Sequence, residues 1–133
     1  MTGPAFQGDD IPLLVAVTID CNDLEGMTAF WSGALGVDVA HVEEPFSFLT
    51  HAPDRKVTIW LQRVPEPRVG KNRIHLDFAV PDLEATEQRI VELGGTLGER
   101  QSFHEFVWRV CEDPEGNVFD VMAVPEAPAE SAE

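Results

Sequence analysis

The stretch IHLDFAVPDLEATEQRIVELGG (Ile74–Gly95) decides the fold, because it repeats the pattern of an earlier stretch, VAVTIDCNDLEGMTAFWSGALG (Val15–Gly36). The two stretches are 59 residues apart, and Asp82-Leu83-Glu84 falls on Asp23-Leu24-Glu25. In each stretch an apolar run precedes this triplet, and about ten residues of helical periodicity follow it and end at glycine. The chain is therefore predicted to be a tandem duplication of one unit in which a strand is followed by a helix.

Capping residues, glycine and proline delimit the other elements. Asp23 and Asp82 are predicted to cap helices over Leu24–Leu35 and Leu83–Leu93, and Asp113-Pro114-Glu115-Gly116 is predicted to form a hairpin turn. The predicted strands lie near residues 13–20, 37–42, 46–51 and 56–64 in the first module, and near 74–80, 103–111 and 117–124 in the second. The predicted boundaries are a flexible arm at 1–12, module one at 13–64, a connector at 65–72, module two at 73–124 and a disordered acidic tail at 125–133.

The composition limits the classes of function. Nine Lys and Arg residues against 24 Asp and Glu residues give a formal net charge of −15, which argues against nucleic-acid and anionic-membrane partners. No apolar segment approaches membrane-spanning length, and the sequence does not open with a basic region followed by a hydrophobic run, so we expect a cytoplasmic protein. Cys21 and Cys111 are too few for a disulfide framework and are predicted to be buried or half-buried thiols.

Strand parity predicts which side chains face away from the core. Successive side chains of a strand point to opposite faces, so an alternating apolar pattern leaves His75 and Asp77 on the non-core face of the strand at 74–80. The same argument places Trp60 and Gln62 on the non-core face of their strand, and Asp120 on that of the last strand. The residues predicted to be in the core are Trp31 on the first helix, then Val57, Ile59, Leu61, Ile74, Leu76, Phe78, Val80, Phe119 and Val121.

Two stretches, KNRIHLDFAVPDLEATEQRIVELGG (Lys71–Gly95) and WRVCEDPEGNVFDVM (Trp108–Met122), resemble the vicinal oxygen chelate superfamily, and most of all its glyoxalase-like branch of small bacterial proteins. This superfamily includes glyoxalases, extradiol dioxygenases, fosfomycin-inactivating enzymes and bleomycin-binding proteins. The resemblance covers about Leu13–Ala123. It implies an α+β fold with two tandem βαβββ modules, whose mixed sheets curl around a central cavity within a single glyoxalase-like domain at 13–124. The modules would lie side by side in one chain or be exchanged across a homodimer.

The resemblance also implies a site. Glyoxalase-like proteins that hold a divalent metal take two ligands from each module, one near the start of the first strand and one near the middle of the last. In module two these positions fall on His75 and Asp120, with Asp in the place of the commoner Glu. In module one they fall on Ala16, which cannot coordinate a metal, and on either Trp60 or Gln62. The expected cofactor is therefore none, or a weakly bound divalent metal held by His75, Asp120 and Gln62.

The sequence is compatible with two functions of different classes. In the first, His75 and Asp120 are catalytic, and the protein is a lyase or isomerase acting on an oxygen-bearing metabolite, with the carboxylate orienting the imidazole as a general base. In the second, the protein is a non-catalytic, drug-sequestering protein of the bleomycin-resistance type, and an acidic, aromatic-lined groove holds a cationic or planar ligand. The residues predicted to contact the small-molecule ligand are Trp60, Gln62, Asp77 and Trp108.

Overall fold

The computed structural model describes residues 12–51 and 57–123. Module one contains β1 (Ala16–Cys21), α1 (Leu24–Leu35), β2 (Val39–Glu43), β3 (Phe46–Leu49) and β4 (Thr58–Arg63). Module two repeats this order with β5 (Leu76–Val80), α2 (Leu83–Glu92), β6 (Thr96–Phe103), β7 (Phe106–Glu112) and β8 (Val118–Ala123). The predicted arm, apart from Pro12, and the predicted acidic tail lie outside the described residues.

Each module forms one four-stranded mixed sheet. The strand orders are β1-β4-β3-β2 and β5-β8-β7-β6, so the first and last strands of each module are neighbours. These two strands run parallel, whereas the other neighbouring strands are antiparallel. Across residues 12–51 and 57–123 no strand pairing joins the two sheets, and they do not close into a barrel. The predicted α+β fold of two tandem βαβββ modules is confirmed.

Both helices begin where the capping residues predict. Oδ1 of Asp23 accepts a hydrogen bond from the Gly26 amide at 3.0 Å, and Oδ1 of Asp82 accepts one from the Ala85 amide at 3.0 Å. These carboxylates satisfy amides of the first turn, which have no partner within the helix. After α1, Gly36 takes a left-handed conformation with φ of 69°, which ends the helix at the predicted residue.

Trp31 of α1 makes the central contact between the two modules. Its ring centroid lies 4.9 Å from that of Phe119 and 5.9 Å from that of Phe78, and both phenylalanines belong to module two. Trp31 is buried, as predicted, and the core around it draws on both modules. The other buried apolar residues are Cys21, Leu24, Met27, Phe30, Leu49, Ile59, Leu61, Leu83, Ile90, Cys111, Phe119 and Val121. The two modules therefore share one hydrophobic core.

The predicted hairpin turn at Asp113-Pro114-Glu115-Gly116 joins β7 to β8. The Gly116 amide donates a hydrogen bond to the Asp113 carbonyl at 2.9 Å, which closes the turn. Gly116 has a φ of 86°, a conformation that a residue without a β-carbon adopts at little cost. This part of the prediction is confirmed.

The same hairpin ties module two to the beginning of α1. The Glu115 carboxylate accepts hydrogen bonds from the backbone amides of Asn22 at 2.8 Å and Asp23 at 2.7 Å. Oδ2 of the buried Asp113 accepts a hydrogen bond from Nε1 of Trp31 at 3.1 Å. We refer to Asp113 and Glu115, with these three partners, as the module clamp. The clamp fixes the position of one module relative to the other within the chain.

Several strands, including β1, β4 and β5, begin later than predicted. β1 begins at Ala16 and not near Leu13, and β5 begins at Leu76 and not at Ile74. Ile74 is 81% exposed and Val57 is 42% exposed, so their predicted core-facing orientation is wrong. Both residues precede their strand, and the alternation of faces applies only where the backbone is held in the ladder.

The strand predicted at 103–111 also begins later, because its first residues belong to a hairpin. β6 ends at Phe103 and β7 begins at Phe106, so His104 lies in a two-residue turn and not in a strand. Its φ of 55° is left-handed, as tight hairpin turns require. The other predicted strands of the two modules end within two residues of the observed ones.

Candidate functional site

His75, Asp77 and Asp120 come together on the module-two sheet, on the face opposite the core. Nδ1 of His75 lies 3.2 Å from Oδ2 of Asp120 and 3.5 Å from Oδ1 of Asp77. One imidazole nitrogen and two carboxylate oxygens thus lie within 4.8 Å of one another. We call these three residues the carboxylate–imidazole group. It unites both predicted catalytic residues with one of the predicted ligand-binding residues.

Strand register explains this convergence. β5 and β8 are parallel neighbours, and Asp77 is directly in register with Asp120. In β8, the neighbours of Asp120 in sequence, Phe119 and Val121, are buried in the core, so the Asp120 carboxylate points to the opposite face. His75 lies two residues before Asp77 and on the same side, immediately before β5 begins. The parity argument from the sequence therefore places these three side chains correctly.

The three members of the group differ in their exposure to solvent. The Asp120 side chain is 8% exposed, whereas those of His75 and Asp77 are 50% and 56% exposed. The pKa of Asp120 is raised from 3.8 to about 6, chiefly by burial and then by the hydrogen bond with Asp77, while His75 partly opposes this shift. A buried carboxyl group that titrates near neutral pH thus lies against an accessible imidazole. This combination is typical of sites that bind or transfer protons.

The register of module one identifies the structural counterpart of Asp120. Thr18, which is 59 residues before Asp77, is in register with Trp60. Asp77 is in register with Asp120 in the same way. Trp60 is therefore the counterpart of Asp120, while Gln62 lies two residues farther along β4. This finding resolves the choice that the sequence left open between the two residues.

Module one consequently carries a different open face. Ala16 occupies the position of His75, and Trp60 occupies that of Asp120. The Trp60 ring is half-buried and lies edge-on to Phe48 at 5.1 Å, and Phe48 stacks with Phe46 at 5.7 Å. Trp60 and Gln62 lie in the sheet of module one and the carboxylate–imidazole group lies in the other sheet. The predicted roles of Trp60 and Gln62 in ligand and metal binding stay predictions.

Trp108 lies on the same open face as Asp120. It belongs to β7 and is in register with Met122, two residues beyond Asp120 on β8. Its side chain is half-buried, which leaves part of the indole available for a ligand. The predicted contact between Trp108 and a ligand stays a prediction.

The resemblance implied a cavity, and one of about 530 Å³ lies between β1 and β5. Its volume is within the range that holds small organic ligands. The side chains that give it an apolar floor were assigned to the core, and only the strand orders show that β1 and β5 have free edges facing this space. The sequence feature that could have indicated these free edges is that β1 and β5 are each the first strand of a module. Residues lining it include Val17, Ile19, Trp31, Leu76, His75 and Phe119.

The chemistry of the carboxylate–imidazole group fits a divalent metal. Carboxylate oxygens suit Mg²⁺ and Mn²⁺, and an imidazole nitrogen suits the transition metals. The half-exposed side chains of His75 and Asp77 would leave coordination positions for water or a substrate oxygen. The residues that could hold such a metal are these three, with Gln62 as the further ligand predicted from the resemblance.

Other reactive or charged groups have structural surroundings. Burial raises the pKa of the Cys21 thiol to about 11 and that of Cys111 to about 12, so both remain protonated at neutral pH. The prediction that both thiols are buried is confirmed. The buried Glu87 carboxylate of α2 binds Arg100 at 2.9 Å and Arg109 at 2.7 Å, which fastens the helix to its sheet. In the described part of the chain, no helix is long and apolar enough to cross a membrane.

Comparisons with known proteins agree with this architecture. A glyoxalase/bleomycin resistance protein/dioxygenase family enzyme from Burkholderia phytofirmans PsJN superposes with a TM-score of 0.71 at 21% identity, covering 83% of this chain and 97% of that one. The fosfomycin resistance protein FosX from Listeria monocytogenes gives 0.71 at 16% identity, with 92% and 99% covered. A mutant of that protein, solved with Mn(II) and 1S,2S-dihydroxypropylphosphonic acid, gives 0.72 at 17% identity, with 84% and 90% covered.

These solved structures share the fold, and at such identities they carry no more than that. No curated protein sequence matches the chain. The model of the glyoxalase-like domain family, however, matches residues 16–122, which include both modules. Together with two βαβββ units around one core, this match shows that the chain belongs to the glyoxalase-like domain family of the vicinal oxygen chelate superfamily.

Proposed function

We propose that this protein is a cytoplasmic lyase or isomerase that acts on an oxygen-bearing small metabolite beside His75 and Asp120. The observation that carries this proposal is the 3.2 Å contact between Nδ1 of His75 and Oδ2 of the buried Asp120. A half-exposed imidazole held by a buried carboxylate has one nitrogen occupied and the other free for a substrate. Such a pair is suited to proton transfer, which is the step that lyases and isomerases require.

In this reaction Asp120, His75 and Trp108 would each have a separate role. Asp120, whose Oδ2 lies 3.2 Å from Nδ1 of His75, would hold the ring in place as an ion-pair partner. Nε2 of His75 can then take a proton from the substrate and return it at another atom. Trp108 lies on the same open face and would support the apolar part of the substrate. If Nδ1 of His75 and Asp120 instead held a divalent metal between them, the metal would supply a Lewis acid for a substrate oxygen.

A second function, ligand binding without chemistry, is favoured by the open face of module one. That face carries Trp60 and Phe48 in edge-on contact, where module two carries an imidazole and carboxylates. An aromatic surface in a chain with a net charge of −15 would hold a planar or cationic ligand by stacking and charge attraction. In this function the protein would sequester its ligand and release it unchanged.

One experiment separates the two functions. The purified parent and a His75→Ala variant are each incubated with an extract of small metabolites, and every mass feature is quantified by mass spectrometry before and after removal of the protein. An enzyme changes the amount of a substrate and a product, and His75→Ala abolishes both changes. A binding protein retains a feature that returns unaltered on denaturation. If the parent neither converts nor retains any feature, both functions are wrong.

The variant must be folded for this comparison to count. His75 is half-exposed, so its replacement by alanine is expected to change the free energy of unfolding by no more than about 0.5 kcal/mol. Circular dichroism and urea titration measure this change. Unfolding of His75→Ala would mean that His75 has a structural role.

We further propose that the protein is a homodimer. Apolar side chains are exposed next to the free edges of β1 and β5, at Leu13, Leu14 and Ile74. Exposed apolar patches beside unpaired strands favour association with a second chain. Light scattering coupled to size exclusion measures the mass directly, and an Ile74→Asp variant should shift it toward that of one chain. A parent that elutes as a monomer at high concentration would contradict the proposal.

A further inference from the structure

We propose that Asp77 is a metal ligand, and that His75, Asp77 and Asp120 form a divalent-metal site built from module two alone. This inference rests on the proposed functional site and goes beyond it, because the set implied by the resemblance takes its remaining ligands from module one. The structure instead offers a third ligand two residues from His75, on the same strand face.

The distances within the group are those of ligands that share one ion. Nδ1 of His75 is 3.2 Å from Oδ2 of Asp120 and 3.5 Å from Oδ1 of Asp77. Adjacent ligand atoms about 2.1 Å from a metal are separated by about 3.0–3.5 Å in octahedral or tetrahedral coordination. Both observed separations fall within this range, and the three ligand atoms all lie within 4.8 Å of one another.

Module one supplies no equivalent ligands, and this observation is independent of the distances. Its counterpart of His75 is Ala16, and the strand register makes Trp60 the counterpart of Asp120. Neither side chain coordinates a metal. Since neither first-module position carries a donor, Asp77 is the side chain that brings the number of ligands to three. Thr18 occupies the counterpart position of Asp77, so the extra carboxylate is also specific to module two.

Charge also favours a cation here. Two carboxylates lie side by side in register, and one of them is buried to more than nine-tenths. In the described part of the chain, the ion pairs of Asp77 and Asp120 are both with the same residue, His75. One imidazole does not balance two neighbouring carboxylates, whereas a divalent ion does. With two oxygen donors and one nitrogen donor, Mn²⁺ is the ion that we expect to bind.

The test measures Mn²⁺ binding to the full-length chain, with no substrate present. After treatment with a chelator, the chain is titrated with Mn²⁺, and electron paramagnetic resonance counts the free ion while calorimetry gives the affinity. We expect one Mn²⁺ per chain. An Asp77→Asn variant should bind at least about tenfold more weakly, since a direct ligand has been lost.

Two further variants make this result specific. Asp38→Asn removes an exposed carboxylate just before β2, outside the carboxylate–imidazole group, and should bind Mn²⁺ like the parent. Gln62→Ala should also bind like the parent, since the site does not draw on module one. Asp77 is 56% exposed, so its asparagine variant should keep the parent's melting temperature without metal, which verifies its folding.

Each contrary outcome has a definite meaning. Equal affinities of the parent and Asp77→Asn would overturn the role of Asp77, and a loss of affinity in Gln62→Ala would show that module one contributes a ligand. A parent that does not bind Mn²⁺ at millimolar concentration would overturn the site itself. In all three cases the conversion or retention of a metabolite by the parent, lost in His75→Ala, would leave the proposed function intact.

Discussion

The two modules have the same fold but carry different side chains on their open faces. Both have a capped helix on one face of a sheet in the order first, fourth, third and second strand. On the open face, module two presents His75, Asp77 and Asp120, whereas module one presents Ala16 and Trp60 at the corresponding positions. The duplicated core preserves the fold, and the open faces are free to diverge because their side chains do not hold the sheets together. Pseudo-symmetry of the backbone therefore does not extend to the side chains that could carry chemistry.

The modules also contribute unequally to their shared core. Trp31 of α1 reaches across to Phe78 and Phe119, and its indole donates a hydrogen bond to Asp113. The residue 59 positions later, Ile90 of α2, is buried but has no ring to extend in the same way. Module one therefore provides the aromatic anchor of the interface, and module two provides the surface that receives it.

The largest effect is expected from removing this anchor. Trp31→Ala should lower the free energy of unfolding by about 3–5 kcal/mol, because it deletes a fully buried aromatic side chain. The matched control is Trp60→Ala, which removes the same side chain from the open face of the same module and should cost about 1 kcal/mol or less. Urea titrations of both variants measure these differences. Equal costs would show that the open face contributes to the core as much as the interface does.

A smaller effect is expected at the module clamp. Asp113→Asn should cost about 1–3 kcal/mol, because the buried carboxylate accepts hydrogen bonds through both oxygens and an amide nitrogen cannot accept one. The control Asp38→Asn changes an exposed carboxylate and should cost less than about 0.5 kcal/mol. Thermal and chemical unfolding measure both. If Asp113→Asn is as stable as its control, the clamp does not stabilise the contact between the modules.

The third expected effect is a pH dependence that belongs to module two. The folded pKa of Asp120 is raised from 3.8 to about 6, so the folded state holds this proton more tightly than the unfolded state. The stabilisation is complete below pH 3.8 and is lost as the pH rises through 6. With metal removed by a chelator, the parent should lose more stability between pH 4 and pH 7 than Asp120→Asn. Identical pH profiles would contradict the raised pKa.

The helices and the strand faces could be predicted because their signals in the sequence, capping residues and alternating polarity, are local. Asp23 and Asp82 precede helical periodicity by one residue, and both caps form as predicted. Parity likewise placed Asp77 and Asp120 on one face, since alternation holds inside a strand. The same rule failed for Ile74, which lies outside its ladder and is exposed.

The remaining features depend on relations between distant parts of the chain. The offset between the modules is 59 residues at Thr18 and Asp77 but 60 at Trp60 and Asp120, so a single shift cannot identify both counterparts. The partners of Glu115 lie 92 and 93 residues away in the chain, beyond any local pattern. The cavity between β1 and β5 depends on which strand edges remain unpaired, and this is a property of the assembled sheets.

The long reach of Glu115 has a consequence for synthesis on the ribosome. Asn22 and Asp23, at the beginning of α1, are among the first described residues to be made, but their carboxylate partner follows more than 90 residues later. A nascent chain that ends before the hairpin has neither this partner nor the acceptor of the Trp31 indole. We therefore expect module one to acquire protease resistance only after the hairpin has emerged, with both halves of the duplication becoming protected together.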